Sequence, residues 1–82
     1  MDNELLTNLS KIHTTELGVV RIRRNLGLGA DIDDVVSWCK QKVKTASNIA
    51  RKGKNWYVSF DNVQLTINAH SYTIITAHKK EA

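Results

Sequence analysis

The sequence predicts an α+β fold, in which two or three N-terminal helices pack on one face of a C-terminal three-stranded antiparallel meander. In the first part of the chain the apolar residues recur at helical steps of three and four, and from Asn55 onward they alternate with polar residues. A chain of 82 residues with 41% hydrophobic residues supports one modest core, so we expect a single domain over 1–82. A small sheet needs a cover on one face, and the helices are the elements available for it.

Capping residues delimit the helices. The first two are predicted over about 3–12 and 15–26, and the third over about 32–51. A threonine, Thr14 or Thr15, caps the second helix, and Gly27 is placed to end it in a left-handed conformation. Asp31 opens the third helix and Gly53 ends it.

The strands are predicted from alternation and turn residues, over about 55–60, 63–68 and 71–78. Asp61 and Asn62 tolerate positive φ, so they predict a two-residue hairpin turn. Trp56 shares a pleat face with Val58 and Phe60, which indicates a core position. In the last strand the same alternation places three polar residues on one face with Ile74: Tyr72, Thr76 and His78.

The charge of the chain favours an anionic partner. The net charge is +4, and the stretch 40–54 contains no acid. Its cations are Lys40, Lys42, Lys44, Arg51, Lys52 and Lys54. Clustered cations attract phosphate, but acids at the start of a helix and bases at its end also fit the helix dipole.

Other classes of protein are excluded or disfavoured by composition. No apolar run reaches the roughly 18–20 residues that a membrane span needs, so we expect no membrane association and a cytoplasmic location. The single cysteine, Cys39, excludes an internal disulfide framework, and we expect it to be buried and inert. The three histidines lack the spacing of a metal site, so we expect neither a metal nor another cofactor.

The candidate catalytic residues are His13, Thr76 and His78. On the second helix Arg21 and Arg24 share a face, so they form a candidate phosphate site not far from His13. An imidazole can move a proton and guanidiniums can hold a phosphate, which is the minimum for metal-free phosphodiester chemistry. The structural alternative is that His13 caps the helix, that the arginines are solvated, and that the strand residues serve packing.

Further nucleic-acid contacts are predicted around the strands. Lys52 and Lys54 precede the first predicted strand and are candidate phosphate-binding residues. Tyr57 and Tyr72 are candidate rings for stacking on bases, as in single-strand binders.

Four segments of the chain resemble an uncharacterised bacterial family, domain of unknown function 3781. The segments are IHTTELG at 12–18, RIRRNL at 21–26, KGKNWYV at 52–58 and NAHSYTIITAHK at 68–79. The resemblance covers nearly the whole chain and implies no activity.

The plan of helices followed by a meander is more distantly similar to the barnase–EndoU–colicin–RelE ribonuclease-like fold. That resemblance implies RNA cleavage without metal, with His13 as the helix histidine, Arg21 and Arg24 as phosphate ligands, and Thr76 and His78 on the last strand. The ribonuclease-like plan usually has four strands, one more than the three predicted here.

Three functions therefore remain open. The first is an RNA-directed domain, in its active form a metal-independent ribonuclease. The second is a non-enzymatic interaction protein, such as a mobile-element-encoded inhibitor of a host defence nucleoprotein. The third is a nucleotide-binding module. Pairing of an exposed sheet edge also predicts a homodimer.

Overall fold

The computed structural model describes residues 4–80, and they form a four-stranded antiparallel sheet with helices on one face. The elements are α1 (Glu4–Thr7), a 3₁₀ turn (Leu9–Lys11), α2 (Glu16–Leu26), α3 (Val35–Lys44), β1 (Asn48–Lys52), β2 (Asn55–Phe60), β3 (Val63–Asn68) and β4 (Ile74–Lys79). The strands lie in the order β1-β2-β3-β4. The α+β class is confirmed, and the prediction of three strands was wrong. Residue 3, where the first helix was predicted to begin, lies outside the described residues.

Helix α2 has the caps that the sequence predicts. The hydroxyl of Thr15 accepts a hydrogen bond from the backbone N–H of Gly18 at 3.0 Å. Gly27 adopts a φ of 65°, and its N–H reaches the carbonyls of Arg23 and Arg24. The left-handed conformation favours glycine, because a Cβ would meet the backbone there.

Helix α3 is shorter than predicted at both ends. Its N-cap is Asp34 and not Asp31, because the Asp34 carboxylate accepts from the N–H of Ser37 at 3.0 Å. The helix ends at Lys44, whereas the apolar seam predicted a helix over 32–51.

Strand β1 occupies the segment that was predicted as the end of α3. The residues after Lys44 read Thr-Ala-Ser-Asn, and three of these four compete poorly for the helix. Gly53, expected to stop a helix, is instead the first residue of a two-residue turn between β1 and β2, with a φ of 58°. Pairing with β2 thus outweighs the helical spacing of the small apolar residues.

The β2–β3 hairpin has the predicted bounds. Asp61 and Asn62 adopt φ values of 43° and 62°, as a type I′ turn requires. Trp56, Val58 and Phe60 are all buried on the face that meets the helices. Their core role is confirmed.

Strand β4 begins at Ile74 instead of residue 71 and contains a bulge. Ile67 pairs with Ile74, but the preceding Thr66 pairs with Thr76, so Ile75 is the extra residue. The bulge shifts the alternation by one. As a result, Ile74 is buried in the core whereas Thr76 and His78 are exposed, and the predicted common face was wrong.

One hydrophobic core joins the helices to the sheet. It includes Leu5 of α1, Ile22 of α2, Cys39 of α3 and Leu65 of β3, each almost fully buried. Within residues 4–80, no helix has the length and apolar character required to cross a membrane.

Candidate functional site

A groove of about 480 Å³ runs between α2 and the edge strand β4. Polar residues of the two elements and of the segments just before them line it: Thr14, Thr15, Arg21, Asn25, Thr73 and Thr76. The apolar residues Ile22, Ile74 and Ala77 also line it and belong to the core. The groove has hydrogen-bonding walls on an apolar base.

Two side-chain hydrogen bonds fix α2 against β4. The Thr14 hydroxyl donates to the carbonyl of Ile74 at 3.2 Å, and the Asn25 amide donates to the carbonyl of Ala77 at 3.1 Å. These bonds satisfy carbonyls that an edge strand would otherwise leave without a partner. The two bonds therefore join the walls of the groove near both of its ends.

Gly18 permits the close approach at one end of the groove. A Cβ at this position would overlap the Thr14 side chain, whose hydroxyl bonds to Ile74. Only glycine, which has no Cβ, leaves room for the Thr14 side chain in the position from which it bonds to Ile74.

Arg21 lines the groove, and its guanidinium makes no hydrogen bond or ion pair with residues 4–80. Its neighbour Arg23 differs, since Arg23 donates to the carbonyls of Gly29 at 2.6 Å and Ile32 at 2.7 Å. Arg24 is exposed and lies outside the groove lining. Of the two predicted phosphate-binding arginines, Arg21 is the one that faces the groove.

His13 is held beside the groove by both ring nitrogens. Nδ1 lies 2.9 Å from the carbonyl oxygen of Lys11, and Nε2 lies 3.1 Å from the hydroxyl of Thr73. Because a carbonyl only accepts, Nδ1 donates to Lys11, and in the neutral ring Nε2 accepts from Thr73. His13 therefore does not cap α2, a role taken by Thr15.

The hydrogen bonds continue from Thr73 into the loop before β4. The hydroxyls of Ser71 and Thr73 are 2.8 Å apart, and the Ser71 hydroxyl lies 3.2 Å from Oδ1 of Asn68. The same oxygen accepts from the N–H groups of His70 and Ser71 at 2.9 Å each. Tyr72 lies within this loop at a φ of 63°, a conformation that a non-glycine residue adopts rarely.

The structure does not place His78 with His13. Thr73 bonds to His13, and His78 follows it five residues later along the strand, which corresponds to about 15 Å. His78 also pairs with Gln64 on the sheet face that points away from the helices. Arg21 and Thr76 thus share the groove, His13 adjoins it, and His78 belongs to another surface.

That other surface, here called the open face, is the side of the sheet opposite the helices. Cross-strand pairing aligns Asn48, Ser59, Gln64 and His78 in one row and Ala50, Tyr57, Thr66 and Thr76 in the next. A hollow of about 460 Å³ lies on it, lined in part by Lys52, Tyr57 and Lys80. The Lys80 ammonium donates to the hydroxyl of Ser59 at 2.7 Å.

Two of the predicted nucleic-acid contacts, Tyr72 and Lys54, line neither the groove nor the hollow of the open face. Tyr72 is only 9% exposed and its ring centre lies 5.2 Å from that of Trp56, so this ring is a core residue and not a platform for bases. Lys54 lines a third hollow, together with Arg51 and His70. The ring of Tyr57 remains accessible for stacking.

Sequence reasoning did not assign several residues of the groove and its loop to the site, among them Asn25, Asn68, Ser71 and Thr73. Asn68 ends a predicted strand next to a histidine and a serine, which is the composition of an Asx-type turn. That turn signal was available, but the pairing of Thr73 with His13, 60 residues away, was not. Among residues 4–80, no three histidine, cysteine or acidic side chains are grouped so as to hold a metal ion.

Comparison with known proteins gives one family and no individual relative. Neither the curated proteins nor the solved structures include a match to this chain. The family model described as "Protein of unknown function (DUF3781)" matches residues 6–78, so the chain belongs to this family.

Proposed function

We propose that this chain binds RNA through its phosphate backbone, with the groove between α2 and β4 as a phosphate site. The observation that carries the proposal is that Arg21 lines a groove together with four threonines, while its guanidinium makes no bond within residues 4–80. A cation without an internal partner, next to hydroxyl and amide groups, is a composition that suits a phosphate.

The electrostatics of the groove favour an anion. Its lining contains no aspartate or glutamate, and the chain as a whole carries a charge of +4. Two further donors line the groove: the hydroxyl of Thr76 on β4, and the second N–H of the Asn25 amide on α2, whose first N–H donates to Ala77. Hydrogen bonds to charged groups contribute about 1.5–3 kcal/mol each, which corresponds to roughly ten- to hundredfold in affinity.

Binding is better supported than cleavage. His13 can accept a proton at Nε2 only from a hydroxyl that displaces that of Thr73. Cleavage also needs a second group to protonate the leaving oxygen, and His78 lies about 15 Å along the strand. Strand β1 gives the sheet four strands, the usual number in the ribonuclease-like plan, but it supplies no catalytic group.

The test is fluorescence anisotropy of a labelled single-stranded RNA in excess chelator, comparing Arg21→Gln with Arg24→Gln. The two variants remove the same charge from exposed side chains of the same helix, and of the two arginines only Arg21 lines the groove. We expect Arg21→Gln to weaken binding at least tenfold and Arg24→Gln to change it less than threefold. Equal effects of the two variants would contradict the groove as the phosphate site.

Two further measurements distinguish RNA binding from ribonuclease activity and from nucleotide binding. Intact RNA after long incubation with the wild type indicates binding alone, whereas cleavage that is lost in His13→Ala indicates a ribonuclease. Competition by a mononucleotide at the same concentration as the oligonucleotide would indicate a nucleotide-binding module.

A second candidate function is protein binding, as an inhibitor would show. Leu17 and Val20 on α2 and Ile75 on β4 are 67%, 57% and 53% exposed, which is high for large apolar side chains. A complex with one protein that survives nuclease treatment, is lost in a Leu17→Asp, Val20→Asp double variant and persists in Arg21→Gln would favour this function.

A further inference from the structure

The open face has the composition of a surface for a nucleic-acid base. Among the described residues, Tyr57 is the single aromatic ring on this face, because Trp38, Trp56, Phe60 and Tyr72 pack in or against the core. Tyr57 lines the hollow of about 460 Å³, a volume in the range of small-ligand sites. Tyr57 is half-buried, so part of its side chain is accessible to a group that enters the hollow.

The polar neighbours of Tyr57 can contact the edges of a base. Gln64 and Ser59 line the same hollow, and His78 pairs with Gln64 in the adjoining row. An amide side chain donates and accepts at once, which suits the mixed donor and acceptor edges of bases.

The charge of the open face complements a polyanion. Lys52 and Lys80 line the hollow, and its lining includes no acid. The ammonium of Lys80 is held in place by Ser59 at 2.7 Å. The face therefore attracts phosphates on either side of a base that stacks on Tyr57.

A protein partner fits this face poorly. The large exposed apolar side chains of residues 4–80 are Leu6, Leu17, Val20 and Ile75, and none of them lines the hollow. Protein interfaces usually bury apolar anchors at their centre. Polar side chains, two lysines and one ring fit a nucleic acid better.

The groove and the open face meet at Thr76. This residue lines the groove and also lies in the cross-strand row of Tyr57, two strands away. With strands about 4.8 Å apart, Thr76 and Tyr57 are separated by about 10 Å across the sheet. A single nucleic-acid strand can therefore reach from Arg21 across β4 to Tyr57.

We propose that the open face is a stacking platform on which Tyr57 binds one unpaired base of a single-stranded nucleic acid, with Lys52 and Lys80 contacting the flanking phosphates. The proposal rests on the proposed function, because it gives the same strand a second point of contact. It adds that the ligand is unpaired, since a base inside a duplex presents no free π-face to a flat sheet.

The test uses short RNAs that carry one fluorescent 2-aminopurine, whose emission falls when the base stacks on a ring. The variants are Tyr57→Thr, which keeps a strand-forming residue beside Thr66, and Tyr57→Phe, which keeps the ring. We expect quenching with the wild type and Tyr57→Phe, and its loss in Tyr57→Thr with an affinity about five- to hundredfold weaker. Circular dichroism and urea unfolding establish that each variant folds.

Titrations with other ligands identify which kind of molecule supplies the base that stacks on Tyr57. The same sequence as single-stranded DNA, the same RNA annealed to its complement and free 2-aminopurine riboside are titrated in parallel. We expect the 2-aminopurine emission of both the RNA and the DNA single strand to be quenched, and the emission of the duplex to stay unchanged. Quenching by the duplex, or by the free nucleoside as strongly as by the oligonucleotide, would overturn the proposal.

The outcomes for the platform and for the groove are distinguishable. Equal quenching by the wild type and Tyr57→Thr overturns the platform, even if Arg21→Gln still binds more weakly than Arg24→Gln. Loss of quenching in Tyr57→Thr, with equal affinities of the two arginine variants, supports the platform and contradicts the groove. If Tyr57→Thr does not fold, the double variant Lys52→Gln, Lys80→Gln replaces it, and an unchanged salt dependence of RNA binding overturns the platform.

Discussion

Nε2 of His13 and the hydroxyl of Thr73 form a hydrogen bond of 3.1 Å between residues 60 positions apart. The backbone reinforces it, because the N–H of His13 donates to the carbonyl of Tyr72 at 3.1 Å and the N–H of Ile74 donates to the carbonyl of His13 at 2.8 Å. The segment before α2 is thereby attached to the start of β4. This attachment sets the end of the groove that Thr14 and Thr73 line.

The coupling between His13 and Thr73 is measurable in a double-mutant cycle. We expect His13→Ala and Thr73→Val each to lower the free energy of unfolding, with a coupling of about 0.5–1 kcal/mol, since the bond is exposed to solvent. Urea unfolding of the wild type, the two single variants and the double variant gives this value. His70→Ala is the control, because only the backbone N–H of this histidine takes part in the turn. Strict additivity of the two single variants would show that the bond contributes nothing.

Gly18→Ala tests the contact between α2 and the segment before it. In most helices this change stabilises by up to about 1 kcal/mol. Here the new Cβ overlaps Thr14, whose hydroxyl must then leave the carbonyl of Ile74. The lost hydrogen bond, about 1 kcal/mol, offsets that gain, and with the overlap we expect a net loss of stability instead. The double variant Thr14→Ala, Gly18→Ala removes the overlap, and it should be at least as stable as Thr14→Ala. Urea unfolding measures all three, and a Gly18→Ala variant more stable than the wild type would contradict the overlap.

The elements that the sequence predicted well are those with local signals. Helix α2 lies between a threonine cap and Gly27, and the β2–β3 turn rests on Asp61 and Asn62, so neighbouring residues decide both. Strand β1 was not predicted, because its small apolar residues continue the spacing of α3. Its available signal was the pair Gly53-Lys54 between two segments able to form strands, which is typical of a hairpin.

The candidate site was predictable only in part, for a related reason. The helical face that Arg21 and Arg24 share on α2 indicated Arg21 as a site residue, and Arg21 lines the groove. The bulge at Ile75 could not be foreseen, because it depends on pairing with β3, and it moved Thr76 and His78 away from the face of Ile74. Likewise, the distance between His13 and His78 follows from tertiary attachment of the segment before α2 and not from residue types.

Asp34 is expected to stabilise the start of α3 in a pH-dependent way. Its carboxylate accepts from the N–H of Ser37 at 3.0 Å and from the Ser37 hydroxyl at 2.9 Å, and the bond to the N–H is the main cause that lowers the pKa of Asp34. A lowered pKa means that the stabilisation is present above about pH 4 and is lost as the pH falls through the folded-state value. We therefore expect Asp34→Ala to be less stable than the wild type at pH 7 and nearly equal to it at pH 2.

The control for the cap is Asp33→Ala. It removes the same charge one residue earlier, from an exposed carboxylate that makes no hydrogen bond within residues 4–80. Urea unfolding at both pH values compares the two variants, and the same loss in Asp33→Ala at pH 7 would show that charge, and not the cap, is responsible.

The thiol of Cys39 should make the fold sensitive to alkali. Burial raises the pKa of Cys39 to about 12, because a thiolate in the core would lose its hydration. In the unfolded chain the thiol ionises near pH 8.5, so between about pH 9 and 12 the folded state binds more protons and its stability falls as the pH rises. Cys39→Ala lacks this group, and we expect the stability advantage of the wild type over this variant to shrink from pH 8 to pH 10.5. A thiol-reactive dye provides the second measurement, since it should label the native protein at pH 8 far more slowly than the protein in urea. Equal labelling rates in the two conditions would show that Cys39 is accessible and would contradict its place in the core.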